Sequence, residues 1–360
     1  MNSRKAALSF AAAGTAAGVV GLVVLATPAG AGEAPPTLPQ VSAEALVESV
    51  LNAKIPSFSG SVEVDNNLGL PIPGMPAAAP GEEAAHVWAD GSGRTRLAVP
   101  GRQDETTIID DGTTVWVWES ESKSVTKVPH DEAATDKPLE GKFADPAAAA
   151  TELVTSMQKD STVTVDGTAR VADRPVYQLV LTPKPTERTL LREIRVSVDA
   201  ELRIPMSVEV LANGQADPAA KIGFTEFSHE AQDPNLFTFT PPAGATVTEK
   251  NVDEELTRGG EGFEELLAQA DVKTVGEGWD IVLTGKVPAE ALSAAEDMSG
   301  RSDQNLFGLL ETVGKKVTGS FGTGYVITTH VGTALITEDG KVAVGAVPEQ
   351  VVVEAIKTVK

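Results

Sequence analysis

The sequence predicts an α+β protein with a curved, incomplete antiparallel β-barrel closed by helices, followed by a small C-terminal α/β unit. Three observations predict this fold class. Apolar and polar residues alternate through much of residues 57–224, which is the period of strands with one buried face. Turn residues such as Asp111-Gly112 separate these runs. Two segments, 42–51 and 147–159, instead carry apolar residues at helical spacing.

The start of the chain has the pattern of a secretory signal peptide. Arg4 and Lys5 precede an uncharged apolar run over residues 6–26, and Ala29-Gly30-Ala31 matches a small-x-small cleavage site. The run also approaches the roughly 20 residues that a membrane-spanning helix needs, so an uncleaved anchor is the alternative. Either way, we expect the remaining chain to lie outside the cytoplasmic membrane, secreted or in the cell envelope.

Composition narrows the classes of function. The formal net charge of −22 opposes nucleic-acid binding, because a phosphate backbone would be repelled. It also opposes charge-driven attachment to anionic lipids, so any lipid contact has to be local and apolar. The chain contains no cysteine, which excludes disulfides, thiol nucleophiles and thiolate metal ligands. We expect neither a cofactor nor a metal site.

Local signals define the elements of the larger domain. Ser42 is a good N-cap for the first helix, with Val41 and Leu46 spaced as a hydrophobic staple, and Pro56 stops this helix. Asp145-Pro146 is typical of a helix start and opens the second helix. About nine or ten short antiparallel strands, separated by turns, account for the other ordered segments before residue 248.

Four segments follow from these signals. We expect a signal peptide over residues 1–31, a proline-rich linker over 32–40, a half-barrel domain over 41–248 and a small C-terminal α+β domain of unknown role over 249–360.

The C-terminal domain shows its own mixture of helical and strand patterns. We expect helices over residues 263–270, 306–317 and 348–357, and a strand over 279–283. Three further strands should follow the second helix, with Asp339-Gly340 as the tight turn between the last two.

No recognisable catalytic constellation occurs in the sequence. The four histidines, His86, His130, His229 and His330, have no second histidine at helical metal-ligand spacing. The chain has no Gly-x-Ser-x-Gly elbow and no phosphate-binding loop. We therefore expect a protein that is not an enzyme, and an exported hydrolase with a buried acid pair is the least favoured hypothesis.

An apolar, proline-rich segment over residues 68–76 is unusual for a loop. Its proline content excludes a helix or a central strand. The segment either folds back on the core or forms a lid or rim for an apolar ligand. The candidate lid or rim residues are its large apolar side chains, Leu68, Leu70, Ile72 and Met75.

Residues 114–118 alternate two valines with two tryptophans. Val115 and Val117 therefore occupy one face of a strand, and Trp116 and Trp118 occupy the other. Since exposed tryptophan is costly, we expect both faces to be covered or to contact a ligand.

Three motifs carry a resemblance to a known family. The hairpin Ile108-Ile-Asp-Asp-Gly-Thr-Thr-Val-Trp-Val-Trp is similar to a D-G-x-x-x-W-x-Y hairpin, with Trp118 in place of tyrosine. Val198-Asp-Ala-Glu-Leu-Arg-Ile-Pro is similar to a D-x-x-x-x-x-P element, and Asn235-Leu-Phe-Thr-Phe-Thr-Pro-Pro-Ala-Gly-Ala to a closing F-x-F-x-x-P-x-G-A. In this order, over residues 41–248, the motifs resemble the LolA-like family of lipid and lipoprotein carriers. That family includes the LppX/LprG-type carriers and the RseB-type sensors.

The resemblance implies a half-barrel whose concave face, closed by helices, binds acyl chains in an apolar cavity. Burial of each CH₂ group contributes about 0.8 kcal/mol, so acyl chains need no charged contact to bind. The candidate lining residues are apolar side chains at alternating strand positions, and they are Val62, Val64, Leu97, Ile108, Val115, Val117, Leu179, Ile194, Val196, Met206, Val208 and Phe224.

Two functions agree with these observations. The leading hypothesis is an extracytoplasmic carrier or chaperone whose partners are the acyl chains of a lipid or lipoprotein, with a membrane protein or transporter as a further partner. The alternative is an RseB-like sensor that binds a membrane anti-sigma factor or another signalling partner, because RseB-type proteins also carry a second domain.

Overall fold

The computed structural model describes residues 36–67, 83–101, 104–130, 146–249, 272–286, 310 and 314–359. Leu38–Lys360 form one compact unit. The predicted signal peptide and the candidate lid or rim residues Leu68, Leu70, Ile72 and Met75 lie outside the described residues, as does the predicted helix over 263–270.

A twelve-stranded open sheet forms the larger part of the described structure. Each strand ends at a turn or a chain segment rich in Gly, Pro, Asp or Asn. Its strands are β1 (Ser57–Asn66), β2 (Glu83–Asp90), β3 (Thr95–Pro100), β4 (Glu105–Asp110), β5 (Thr114–Glu119), β6 (Ser124–Pro129), β7 (Ser161–Val171), β8 (Arg174–Pro183), β9 (Leu191–Asp199), β10 (Pro205–Ala212), β11 (Ala220–Ser228) and β12 (Thr246–Glu249).

Two meanders build this sheet. Strands β1 to β6 follow one another as antiparallel neighbours, and so do β7 to β11. The antiparallel pairing of β1 with β11 joins the two meanders, and β12 adds to the free edge of β6 in parallel. The twelve strands are more numerous than the nine or ten predicted. One that the pattern does not reveal is β12, because its exposed residues lack a buried face.

Two helices pack on one face of the sheet, over β7, β8 and β9. Helix α1 spans Ala43–Leu51, and the Ser42 hydroxyl accepts a hydrogen bond from the amide of Ala45 at 3.2 Å, which confirms the predicted N-cap. Helix α2 spans Pro146–Met157. Their apolar residues form one core with the sheet that includes Leu46, Val154 and Leu179. We call this side of the sheet the helix-bearing face.

The segment after β11 covers part of the opposite face. Pro234–Phe237 forms a 3₁₀ helix in contact with β2 and β3, and the Phe237 side chain is fully buried. The Phe239 ring lies 5.6 Å from the Trp116 ring, before the chain reaches β12 beside β6. The closing motif identified in the sequence therefore covers one of the two tryptophans of β5.

A second, six-stranded sheet contains the C-terminal strands. Helix α3 (Glu349–Ile356) packs on it, and a core around Val282, Leu335 and Val352 joins the two. The strands are β13 (Lys273–Val275), β14 (Val282–Lys286), β15 (Lys315–Gly319), β16 (Gly322–Thr328), β17 (Thr333–Thr337) and β18 (Lys341–Gly345).

Two expectations for the C-terminal region are wrong in detail. Residues 315–317 begin strand β15 and do not continue a helix, because Gly314 interrupts the helical pattern and residues 315–319 pair with β16. Trp279 lies in a short 3₁₀ helix over Gly278–Asp280, so the strand starts at Val282 and not at Trp279. The final helix, predicted over 348–357, is confirmed as α3.

Candidate apolar binding face

The pairing register places apolar side chains from five strands in one row on the helix-bearing face. Leu179 packs beneath the helices. It pairs with Val196, which pairs with Val208, and the row continues through Ile222 to Val64. Residues that pair directly across antiparallel strands project from the same face. All five side chains therefore lie on the side that carries α1 and α2.

A second row extends the same face across β2 to β5. Val87, Leu97, Ile108 and Val117 pair in succession, and each is half-buried. Val87 also pairs with Gly60, and a side chain at Gly60 would project onto the Phe224 ring. The second row thus shares a face with Phe224, beyond the part of the sheet that the described helices cover.

Eleven of the twelve candidate lining residues project from the helix-bearing face, whereas Met206 lies at a register shift of β10 between Pro205 and Ser207. Their environments differ. Leu179 and Val196 belong to the core under the helices. Met206 is only 1% exposed and packs with Val176 and Ile204. Val64 is buried as well. Half-buried side chains make up the rest, and they are Val62, Leu97, Ile108, Val115, Val117, Ile194, Val208 and Phe224. Their role in ligand binding stays a prediction.

A groove of about 240 Å³ lies along β1, β10 and β11. Four of the candidate residues line it, namely Val62, Met206, Val208 and Phe224. Ile222 also lines the groove and is 49% exposed, which is high for a large apolar side chain in a strand. Ile222 is not among the twelve candidate residues, although it alternates with Phe224 and so shares its face.

Aromatic rings close one end of this face. The Phe58 ring stacks on Phe227 with centroids 5.1 Å apart and meets Phe224 edge-to-face at 5.9 Å. The absence of a side chain at Gly60 creates the space for the Phe224 ring, because a Cβ there would lie 2.7 Å from a Phe224 ring carbon. The face is therefore bounded by packed rings at β1 and β11.

Charged side chains lie at the edge of this aromatic cluster. The Arg174 guanidinium lies 5.7 Å from the centre of the Phe227 ring and binds the buried carboxylate of Asp199. Burial alone would raise the pKa of Asp199, but hydrogen bonds from Arg174 and from the amides of Leu202 and Glu201 outweigh burial and hold that pKa below its ordinary value. Asp199 of the second motif therefore fixes the β9–β10 turn.

Asp111 of the first motif also has a structural contact. Its carboxylate accepts hydrogen bonds from the amides of Thr113 and Thr114, both at 2.9 Å, and from the indole N–H of Trp116 at 2.8 Å. Burial would raise the pKa of Asp111, but these bonds and the Thr113 hydroxyl outweigh it and lower the pKa. The hairpin motif thus orients Trp116 on the opposite face, away from Val115 and Val117.

One cluster in the described residues resembles a catalytic triad in composition only. The Ser61 hydroxyl and the Glu83 carboxylate both lie beside Nδ1 of His86, at 3.1 and 3.0 Å. In a working triad the nucleophile and the acid bind different ring nitrogens. Within the described part of the chain, no group of three acidic or histidine side chains is arranged to hold a metal ion.

Solved structures supply the comparison with known proteins. MucB of Pseudomonas aeruginosa, in a complex with MucA, is 15% identical, with 87% of this chain and 96% of that chain covered and a TM-score of 0.42. A LolA superfamily protein of Nitrosomonas europaea is 15% identical, with coverages of 56% and 99% and a TM-score of 0.22. A conserved protein of Thermus thermophilus is 12% identical, with coverages of 57% and 97% and a TM-score of 0.33.

The described topology, an open and mostly antiparallel sheet with a few helices on one face, is consistent with the LolA-like fold expected from the sequence. No family model matches the sequence. No curated protein matches it either.

Within the described residues, no helix is both long enough and apolar enough to cross a membrane.

Proposed function

We propose that this protein binds acyl chains of a lipid or lipoprotein along the helix-bearing face and acts as a non-enzymatic carrier or chaperone outside the cytoplasmic membrane. The observation that carries the proposal is the row Val87–Leu97–Ile108–Val117, whose four apolar side chains remain half-buried on a face that the described helices leave open. Contact with acyl chains would remove the rest of this surface from water.

The charge of the molecule agrees with an uncharged mode of binding. With a net charge of −22, the protein gains nothing from long-range attraction to anionic headgroups. Each buried CH₂ group contributes about 0.8 kcal/mol, so a few groups in contact with the two rows suffice for measurable affinity. The groove at Val62, Val208 and Ile222 lies next to the open row, on the side of the helices. An acyl chain could therefore extend across the sheet from the open row into this groove.

Mass spectrometry of organic extracts tests the proposal. Protein purified from the exported fraction without detergent should release a stoichiometric lipid or lipopeptide. The Val117→Asp variant should lose most of it, because a carboxylate in the open row has to be desolvated against the acyl chain. The matched control is Thr164→Asp, since Thr164 is exposed and lies on β7, on the face opposite Val163 and Val165.

The outcome of this comparison is unambiguous if both variants fold. Equal lipid content in wild type and Val117→Asp would refute the acyl-binding face. Met206→Asp is a poor test, because Met206 is 1% exposed and an acid there would unfold the core.

A partner-binding sensor is the second candidate function, and the docking of the C-terminal sheet favours it. Arg188, in the β8–β9 connection, binds Asp280 with its side chain at 3.0 Å and Glu354 at 2.8 Å. The C-terminal region thus contacts the twelve-stranded sheet, which also carries the proposed acyl site. In a sensor, acyl binding and the position of the C-terminal sheet would be coupled, and a membrane signalling protein would detect the change.

Affinity purification from membranes tests the sensor. Wild type should retain one membrane-spanning regulator, identified by peptide sequencing, and Arg188→Glu should lose it because both ion pairs become repulsive. Lys54→Glu, at an exposed lysine after α1, is the control for the charge change. Recovery of the same regulator by Arg188→Glu would count against this candidate.

A further inference from the structure

A second cavity, of about 540 Å³ and open to solvent, lies where the C-terminal region meets the twelve-stranded sheet, and Leu153 and Ile281 in its lining are 39% and 40% exposed. Met157 at the end of α2, Leu181 of β8 and Ile194 of β9 form one wall. Trp279 and Ile281 form the wall from the C-terminal region. It shares no residue with the groove around Ile222, and Ile194 is the one candidate lining residue that it contains.

A buried hydrogen-bond chain fixes the polar end of this cavity. The indole N–H of Trp279 donates to the Ser161 hydroxyl at 2.8 Å, and that hydroxyl donates to Oδ1 of Asp160 at 2.7 Å. Ser161 is 3% exposed. Asp160 and Ser161 both line the cavity, so an ionised carboxylate with further acceptor capacity stands at the end of an otherwise mostly apolar space.

The charged groups around the cavity are otherwise engaged with the protein. The Lys184 ammonium donates to the carbonyls of Gln158 and Lys159, at the end of α2, at 2.6 and 3.0 Å. Glu187 accepts the backbone N–H of Trp279 at 3.0 Å, and Arg188 binds Asp280 and Glu354. Asp160 is therefore the ionisable side chain that a ligand in the cavity meets directly.

We propose that this cavity is a second binding site, for a single alkyl chain whose polar end donates a hydrogen bond, such as an alcohol. The apolar walls accommodate the chain, and the Asp160 carboxylate accepts the bond from the hydroxyl group. An alkyl carboxylate of the same length places a second negative charge beside Asp160 and is rejected. The site is separate from the proposed acyl-binding face, so either proposal can fail without the other.

Isothermal titration calorimetry with two probes of equal chain length, decan-1-ol and decanoate, tests the site at neutral pH. We expect the full-length protein to bind decan-1-ol at least about tenfold more tightly than decanoate. Asp160→Asn should reduce this preference, because the amide removes the charge that rejects decanoate.

Two filling variants locate the binding. Ala346→Phe places a ring in the cavity and should abolish decan-1-ol binding. Ser156→Trp is the second filling variant, and it changes an exposed residue of α2 and so leaves the core intact. Val117→Asp should lose any decan-1-ol binding along the acyl-binding face but keep the binding that the two filling variants remove, because Val117 does not line this cavity.

Three results would overturn the proposal. The first is an absence of decan-1-ol binding to wild type, and the second is equal affinity for decan-1-ol and decanoate. The third is unchanged binding in a folded Ser156→Trp variant, with folding verified by circular dichroism. Loss of lipid from Val117→Asp with decan-1-ol binding retained would support both sites independently.

Discussion

At the scale of single residues, Asp199 shows how a motif in the sequence becomes a structural support. Its side chain has no exposed surface, and it binds the Arg174 guanidinium while accepting the amides of Glu201 and Leu202 at 2.8 and 2.7 Å. A buried carboxylate is costly unless such partners surround it. The family-like motif around Asp199 and Pro205 therefore maintains the turn that aligns β9 with β10, and has no contact with the open apolar row.

Asp199→Asn should lower the free energy of unfolding by about 2 to 4 kcal/mol, because it removes the buried ionised partner of Arg174 and leaves this guanidinium only the exposed Glu201 carboxylate. Urea denaturation at neutral pH measures the loss. The control is Asp217→Asn, at an exposed aspartate, which should stay within about 0.5 kcal/mol of wild type. If the two variants were equally stable, the Arg174–Asp199 pair would contribute nothing net.

At the scale of elements, the docking of the C-terminal sheet depends on one backbone approach. Gly278 has φ +58 and lies against the Asp160 side chain, where a Cβ would come within 2.6 Å of Oδ2. Around this contact, the Thr189 hydroxyl and the Leu190 amide both donate to the Ala346 carbonyl, at 2.7 and 2.9 Å. A glycine at position 278 lets the chain come close enough for Trp279 to reach Ser161.

Gly278→Ala should weaken this docking, because the added methyl group cannot fit between Gly278 and Asp160. We expect the fluorescence of Trp279 to shift to longer wavelength as water reaches the indole, together with faster proteolysis of the C-terminal region. The spectrum of Trp279→Phe identifies which part of the total emission comes from this residue.

The matched control for Gly278→Ala is Gly244→Ala. Gly244 also has a positive φ, of +83, but no atom lies within 4 Å of the position that a Cβ would take there, so this variant carries the backbone strain of about 1 kcal/mol without the clash. If both variants lost stability equally and kept the Trp279 emission unchanged, the close approach would not hold the sheets together.

At the scale of the whole molecule, excess negative charge and hydrogen-bonded aspartates set the response to pH. The net charge is −22 and the isoelectric point is near 4.6. Besides Asp199 and Asp111, the pKa of Asp90 is lowered, since hydrogen bonds from Ser92 and Arg94 outweigh its burial. Asp339 has a lowered pKa because it accepts a hydrogen bond from the Thr337 hydroxyl, with a further contribution from Lys341.

These four carboxyls stabilise the folded state at neutral pH and less so in acid. Their folded-state pKa values lie below that of an unfolded aspartate, about 3.9, so the stabilisation is complete well above pH 4 and declines as pH falls through and below that value. We expect the melting temperature to drop steeply below about pH 4. Differential scanning calorimetry across pH 3 to 7 checks this, and a melting temperature that stayed constant down to pH 3 would contradict it.

Added salt should act differently at neutral pH and near the isoelectric point. At pH 7, salt screens the repulsion among excess carboxylates, so the melting temperature should rise with ionic strength. Near the isoelectric point the net repulsion is absent, and the same salt should give no such rise. A melting temperature at pH 7 that was insensitive to salt would show that the charges are too far apart to destabilise the fold.

Local patterns in the sequence predict the strand alternation, the helix starts and, in a regular strand, the face on which an apolar residue lies. Each Cβ projects opposite to its neighbour's, so eleven of the twelve candidate lining residues are assigned to one face, whereas the register shift of β10 at Met206 is not visible in the pattern. The Ser42 N-cap and the Asp111-Gly112 turn are equally local, since each depends on hydrogen bonds within a few residues.

Tertiary packing determines which of those residues lie under the helices and where the C-terminal sheet contacts the twelve-stranded sheet. Leu179 and Leu97 have the same pattern in the sequence, yet Leu179 lies under α1 and α2 and Leu97 lies in the open row. The cavity between Trp279 and Ile194 joins residues that are far apart in the chain. Coverage and cavities depend on which distant elements pack together, and no local period in the sequence encodes that choice.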